Sequence, residues 1–170
     1  MKILARDADS IALVRKQWAA AAPELDTQPM EVIGRILRID TLARERIRSV
    51  LLPFGVDLGG CDVLATLRRS GAPFRLSPTT LYRELLLTSG AMTNRLDVLE
   101  RGGLVERLAD PDDRRGTLIE LTKKGQTLID RVMKAHMENE ATMIEPLSRS
   151  ERRTLAELLS KLLRGLEDTP

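Results

Sequence analysis

A mainly helical fold carrying one small β-hairpin is what this sequence predicts, and three observations predict it. Apolar residues recur at helical spacing over most of the chain. Ser, Thr and Asp caps, with Gly and Pro stops, cut that pattern into seven segments of helical length. Only between residues 104 and 121 does the texture change, to two short apolar runs flanking a Pro- and Gly-containing loop.

Each element has a local reason. Asp9 or Ser10 caps a first helix that runs to about Ala22, before Pro23. A second helix spans about Pro29 to Leu52, with a stripe of Ile33, Ile36, Leu37, Ile47, Val50 and Leu51 that Asp40 and Arg44 interrupt, and Pro53 and Gly55 end it. Asp57 caps a third helix from Leu58 to Ser70, closed by Gly71. Phe74-Arg75-Leu76 is a short extended link. Ser77 caps a fourth helix with Pro78 in its first turn, expected to reach Leu87. Thr88-Ser89-Gly90 is read as a turn, and a fifth helix follows to about Arg101, stopped by Gly102 and Gly103.

The two alternating runs, Leu104 to Leu108 and Thr117 to Leu121, are strands of a hairpin whose long tip is Ala109 to Gly116. Thr122 then caps a long helix to Ile144, which Pro146 breaks. Ser148 and Glu151 have capping-box spacing and open a last helix to about Leu166.

Composition removes several classes of function. The 170 residues suit one domain or one core with appended helices, and 42% apolar with 31% charged residues is the balance of a globular chain. No uninterrupted apolar run approaches the roughly 18 residues of a membrane span. The start, MKILARDADS, has too short an apolar run for a secretory signal, so the expected location is the cytoplasm. Cys61 alone allows no internal disulfide, and Cys61 with His136 is too few for a Cys/His zinc site. No nucleophile has a Ser/His/Asp or Cys/His partner set and there is no phosphate-binding glycine loop, so no enzyme and no cofactor are expected. The charge is nearly balanced, 27 basic against 25 acidic, but the basic residues are 21 Arg and only 6 Lys. Arg favours planar contact with phosphate or carboxylate, although codon usage explains such a skew equally well. Four aromatics, Trp18, Phe54, Phe74 and Tyr82, are too few for a single-strand stacking platform.

Residues 77–121 therefore read helix, turn, helix, strand, loop, strand. That is the order of a winged helix-turn-helix, in which the first helix braces against the backbone and the second lies in the major groove of duplex DNA. In the second helix Met92, Leu96 and Leu99 share one face and can seal the core. Ser89, Gly90, Thr93 and Asn94 lie on the rest of the surface, small and polar enough to meet base edges and phosphates. Arg114 and Arg115 at the hairpin tip can reach a flanking phosphate or a minor groove. Ser77, Thr79, Ala91 and Arg95 complete the expected DNA-facing set. Taken singly, each piece is also what ordinary helix packing or a solvated loop looks like; the succession within 45 residues is the signal.

Residues 76–125, LSPTTLYRELLLTSGAMTNRLDVLERGGLVERLADPDDRRGTLIELTKKG, closely resemble the MarR family of bacterial winged-helix regulators. Asp113-x-Arg115, five residues and Leu121-Thr122 match the family's wing signature DxRxxxxxLT. The resemblance implies that Arg115 enters the minor groove, that Asp113 orients it, and that the terminal helices build a homodimer. The organisation then expected is 1–57 for dimerisation and one wall of a ligand pocket, 58–122 for DNA binding, and 123–170 for dimerisation. It also implies a double-stranded operator as partner and a place at the nucleoid.

A narrower resemblance, to the urate-responsive branch of that family, covers most of the chain. That branch carries an extra N-terminal helix with a Trp, an Asp and an Arg seven residues apart on the helix before the helix-turn-helix, and an Arg in the recognition helix. Trp18, Asp62, Arg69 and Arg95 fill those places, while Cys61 stands where a bulkier apolar residue is expected. Seven helical residues rise about 10.5 Å over nearly two turns, so Asp62 and Arg69 share a face and can bracket a flat polar anion. The effector implied is urate or a related purine or phenolic anion, and a ligand that recruits Arg95 pulls on the DNA-reading helix.

Other readings of the same residues stand beside these. Asp62 and Arg69 describe a solvated helix face, Trp18 an interface anchor, and Arg95 a phosphate contact. Cys61 is either a buried structural residue or, if its thiol is accessible and acidic, an oxidant sensor. A winged helix also serves as a protein-interaction module, so fold alone does not decide.

Overall fold

The computed structural model of the chain describes residues 8–85, 89–113 and 115–168. The expectations for Arg114, for residues 86–88 and for the Ser89 side chain lie outside the described residues. Seven α-helices are described: α1 (Ser10–Ala21), α2 (Met30–Leu51), α3 (Leu58–Arg69), α4 (Pro78–Glu84), α5 (Ser89–Arg101), α6 (Lys123–Met143) and α7 (Arg149–Glu167). Three short strands accompany them: β1 (Arg75–Leu76), β2 (Val105–Ala109) and β3 (Thr117–Leu121).

Contacts group the chain into two compact units, residues 1–46 and 47–170. In the first, Asp9 caps α1, its carboxylate accepting from the amides of Ile11 and Ala12, both at 2.9 Å. The same carboxylate takes the Arg35 guanidinium at 2.8 Å, and Arg15 pairs with Glu31. These contacts tie α1 to the start of α2.

The second unit holds the core. Leu64, Leu67, Leu81, Ile119, Ile129 and Val132 are fully buried, so α3, α4, β3 and α6 meet around one aliphatic centre. β3 is the middle strand, antiparallel to β1 on one side and β2 on the other. Thr122 Oγ1 accepts from the Gly125 amide at 3.0 Å to cap α6, and Ser148 and Glu151 form a complete capping box on α7.

Three expectations need correction. Phe74-Arg75-Leu76 is not only a link: Arg75 and Leu76 pair with Glu120 and Ile119 as a third strand. A two-residue strand has no periodicity to read, and a non-local partner creates it. Ser89 and Gly90 are not a turn but the first two residues of α5. The helix expected to reach Leu87 ends at Glu84, where the amide of Leu85 turns back to the carbonyls of Arg83 and Leu81. Pro53 and Gly55 end α2 as expected, through a single 3-10 turn, Leu52–Phe54, that closes at Gly55 in the left-handed region, φ 70°.

Candidate nucleic-acid interface

α4 and α5 are the helix-turn-helix, and their faces divide as amphipathicity requires. Met92, Leu96 and Leu99 are buried under α5, and Leu81 under α4. Gly90, Ala91, Thr93 and Asn94 are exposed along the rest of the first turns of α5, and Thr79 is exposed on α4. Ser77 spends its oxygen as the α4 cap, accepting from the Thr80 amide at 3.1 Å.

The hairpin tip is organised by its own carboxylates. Asp113 Oδ1 accepts from the Arg115 amide at 2.9 Å, and Asp110 Oδ1 from the Asp112 amide at 3.0 Å. The Gly116 amide closes the tip on the Asp113 carbonyl at 2.8 Å. Asp113 therefore sets the backbone at Arg115, whose side chain is exposed.

A residue that sequence reasoning missed fixes wing to recognition helix. Arg107 on β2 donates to Asp97 at 2.6 Å and is bonded to Glu100, both on α5. The hydrogen bond to Asp97 heads the causes that hold its guanidinium above its ordinary range. Two acids one helical turn apart, followed after a glycine turn by an Arg on the next strand, were the available signal.

The four ligand candidates fall in different settings. Trp18 lies on α1 in the first unit, with 44% of its surface exposed. Asp62 and Arg69 stand on the outer side of α3, both exposed. Arg69 is engaged with α4: its Nη2 lies 2.6 Å from Glu84 Oε2 and 3.4 Å from Thr66 Oγ1. The guanidinium of Arg95 packs against Gly59, so close that a methyl group there would overlap its Cζ. It borders a crevice of about 690 Å³ between the N-terminus of α3 and α5, which Asp57, Asn94 and Leu99 also line. Asp62 and Arg69 are not among the residues lining that crevice.

Cys61 is buried, 4% exposed, and its thiol is pushed up to about 11 by burial first and then by Asp62 and Asp57. A thiol held that high carries almost no thiolate at neutral pH. Alkylation of the native protein at pH 7.5 is therefore expected to run about a hundredfold slower than of the urea-unfolded chain; equal rates would restore the oxidant-sensor reading. His136 on α6 faces Glu140, Nε2 to Oε1 3.2 Å, and its Nδ1 is buried without a partner among the described residues.

Known proteins share this arrangement. A family profile described as MarR family matches residues 54–116. The HTH-type transcriptional regulator PecS of Dickeya dadantii is 37% identical over 151 residues, 89% of this chain and 91% of that protein. The multiple antibiotic resistance protein MarR of Escherichia coli is 30% identical over 135 residues, 77% of this chain and 90% of that protein. A crystal structure of a mutant E. coli MarR complexed with operator DNA superposes with a TM-score of 0.69 at 26% identity, over 86% of this chain and 97% of that one.

Proposed function

The chain belongs to the MarR family of transcriptional regulators, and on that premise we propose that it is a homodimeric repressor that a small aromatic anion of the urate type releases from its operator. It is a DNA-binding protein and not an enzyme. The observation that carries the reading is the exposed edge of α5, Gly90, Ala91, Thr93 and Asn94, together with a wing tip whose backbone Asp113 fixes at Arg115. Small residues at the start of a recognition helix let its backbone approach base edges, and the wing arginine reaches the flanking groove.

The dimer reading is supported by apolar side chains left open on the terminal helices. Leu37 and Ile39 on α2, and Leu158, Leu163 and Leu166 on α7, are more than half exposed. Such a run on one amphipathic helix marks a surface that a partner covers. Two recognition helices related by a twofold axis then meet half-sites about one helical turn apart.

The effector reading rests on Arg95. Docked over Gly59, its guanidinium is held away from the exposed edge of α5, and no hydrogen bond or ion pair holds it among the described residues. An anion in the adjoining crevice gives it a charge-assisted partner. Asp62 and Arg69, which do not line that crevice, are proposed to reach the ligand's rim only when Arg69 leaves Glu84. Exchanging the Glu84 carboxylate for the ligand anion costs little at an exposed pair.

Two variants test this. Arg115→Ala is expected to weaken binding to every duplex and to lower the salt slope by about one phosphate. An unchanged slope removes Arg115 from the interface. Asp62→Asn and Arg69→Ala are expected to bind DNA as the wild type does but to respond to urate only at several-fold higher concentration. Wild-type responses in both place the effector elsewhere.

A further inference from the structure

The bridge from β2 to α5 stands where it can set how the chain reads DNA. Asp97 lies one helical turn beyond Thr93 and Asn94, so it continues the exposed face of α5. Glu100 follows three residues later, and both carboxylates converge on Arg107. The Arg107 guanidinium donates to Asp97 Oδ1 at 2.6 Å and is bonded to Glu100, and its amide donates to Glu100 Oε1 at 3.3 Å. A planar fork that spans two acids on one helix face is fixed in orientation, which a lysine ammonium does not reproduce.

The strand ladder carries that position outward to the wing tip. Val105, at the root of β2, is buried, whereas Glu106 and Ala109 are exposed. Burial therefore holds the root of the strand, and Arg107 ties it to α5 further out. Arg107 stands opposite Ile119, and two more pairs, Leu108 with Leu118 and Ala109 with Thr117, lead to the tip. There the Asp110 amide donates to the Gly116 carbonyl at 3.1 Å, and Asp113 fixes the backbone at Arg115. Ion pairs as exposed as these contribute little to stability, so their removal frees the wing without unfolding the chain.

We propose that Arg107 is a specificity-determining positioning residue: it holds the wing to the recognition helix, so that the bases read by α5 and the minor groove entered by Arg115 must lie at one fixed spacing. On the reading of Arg115 as a minor-groove contact, on which this inference rests, Arg107 acts through Arg115 and touches no DNA itself. A narrow A·T-rich minor groove attracts an arginine. A wing held in place turns that attraction into a preference at a set distance from the major-groove site; a free wing finds a phosphate on any flank.

The test is a double-mutant cycle at Arg107 and Arg115 in the full chain, read by fluorescence anisotropy on two duplexes. One is the footprinted duplex from upstream of the protein's own coding sequence, with A·T pairs on each flank of the half-sites; the other is a copy with G·C pairs there. The wild type is expected to favour A·T flanks by about fivefold or more. Arg107→Gln is expected to cut that preference below about twofold while binding the G·C-flanked copy within about twofold of wild type. Arg107→Lys, which keeps the charge but not the fork, is expected to match Arg107→Gln. In the Arg115→Ala background, Arg107→Gln is expected to change neither affinity by more than about twofold. A preference kept in Arg107→Gln, or restored by Arg107→Lys, overturns the proposal. So does an equal loss on both duplexes, or a loss that adds to that of Arg115→Ala, since either makes Arg107 a phosphate contact or a prop of the fold. A wild-type preference in Arg115→Ala overturns the minor-groove reading and this inference together; a preference lost there but kept in Arg107→Gln overturns this inference alone.

Discussion

Gly125→Ala is expected to lose about 3 kcal/mol of stability, although alanine is the better helix former. Gly125 is buried at the start of α6, where that helix crosses the root of the wing. A Cβ there would overlap the carbonyl oxygen of Leu104 and stand 2.9 Å from Leu121 Cδ1. The first of these is backbone and has no rotamer to change. That carbonyl also accepts from the Thr122 amide at 3.1 Å and the Thr122 hydroxyl at 3.2 Å, so moving it opens the α6 cap. The intrinsic gain from Gly to Ala is about 1 kcal/mol and does not offset this. Melting at fixed protomer concentration should fall by roughly 10 °C. A melting point at or above wild type would mean that the α6–wing crossing is looser than the structure has it.

Leu96→Ala is the second large effect. Leu96 is 2% exposed and lies between Met92 and Leu99 on the buried face of α5. Truncating a leucine so placed costs about 2–5 kcal/mol, part lost transfer energy and part cavity. The loss falls on the recognition helix itself, so DNA affinity should drop along with urea resistance. Val98 on the same helix is 53% exposed, and Val98→Ala is expected to change stability by less than about 0.5 kcal/mol. Equal effects at the two positions would contradict the assigned orientation of α5.

Local chemistry was legible in the sequence, and long-range chemistry was not. Asp9, Asp57, Ser77, Thr122 and Ser148 all cap the helices expected of them, because a cap needs only its next three residues. The buried face of α5 follows from spacing for the same reason. β1 escaped because its partner Glu120 is 45 residues away in sequence. The docking of Arg95 needs α3 and α5 brought together; its only trace was a Gly59-Gly60 pair inside a helix, a mark of close approach. Arg69 reads from sequence as half of a ligand bracket, whereas its nearest carboxylate, Glu84, lies on the next helix.

One titration bears on the centre of this account: fluorescence anisotropy of duplex DNA from the region upstream of the protein's own coding sequence, across a salt series, with and without urate. The account predicts saturable binding whose logarithm falls linearly with the logarithm of salt, weakened by urate roughly fivefold to a hundredfold. A purified protein that leaves the duplex unbound at low ionic strength would contradict it, and binding that urate leaves unmoved would contradict the role given to Arg95.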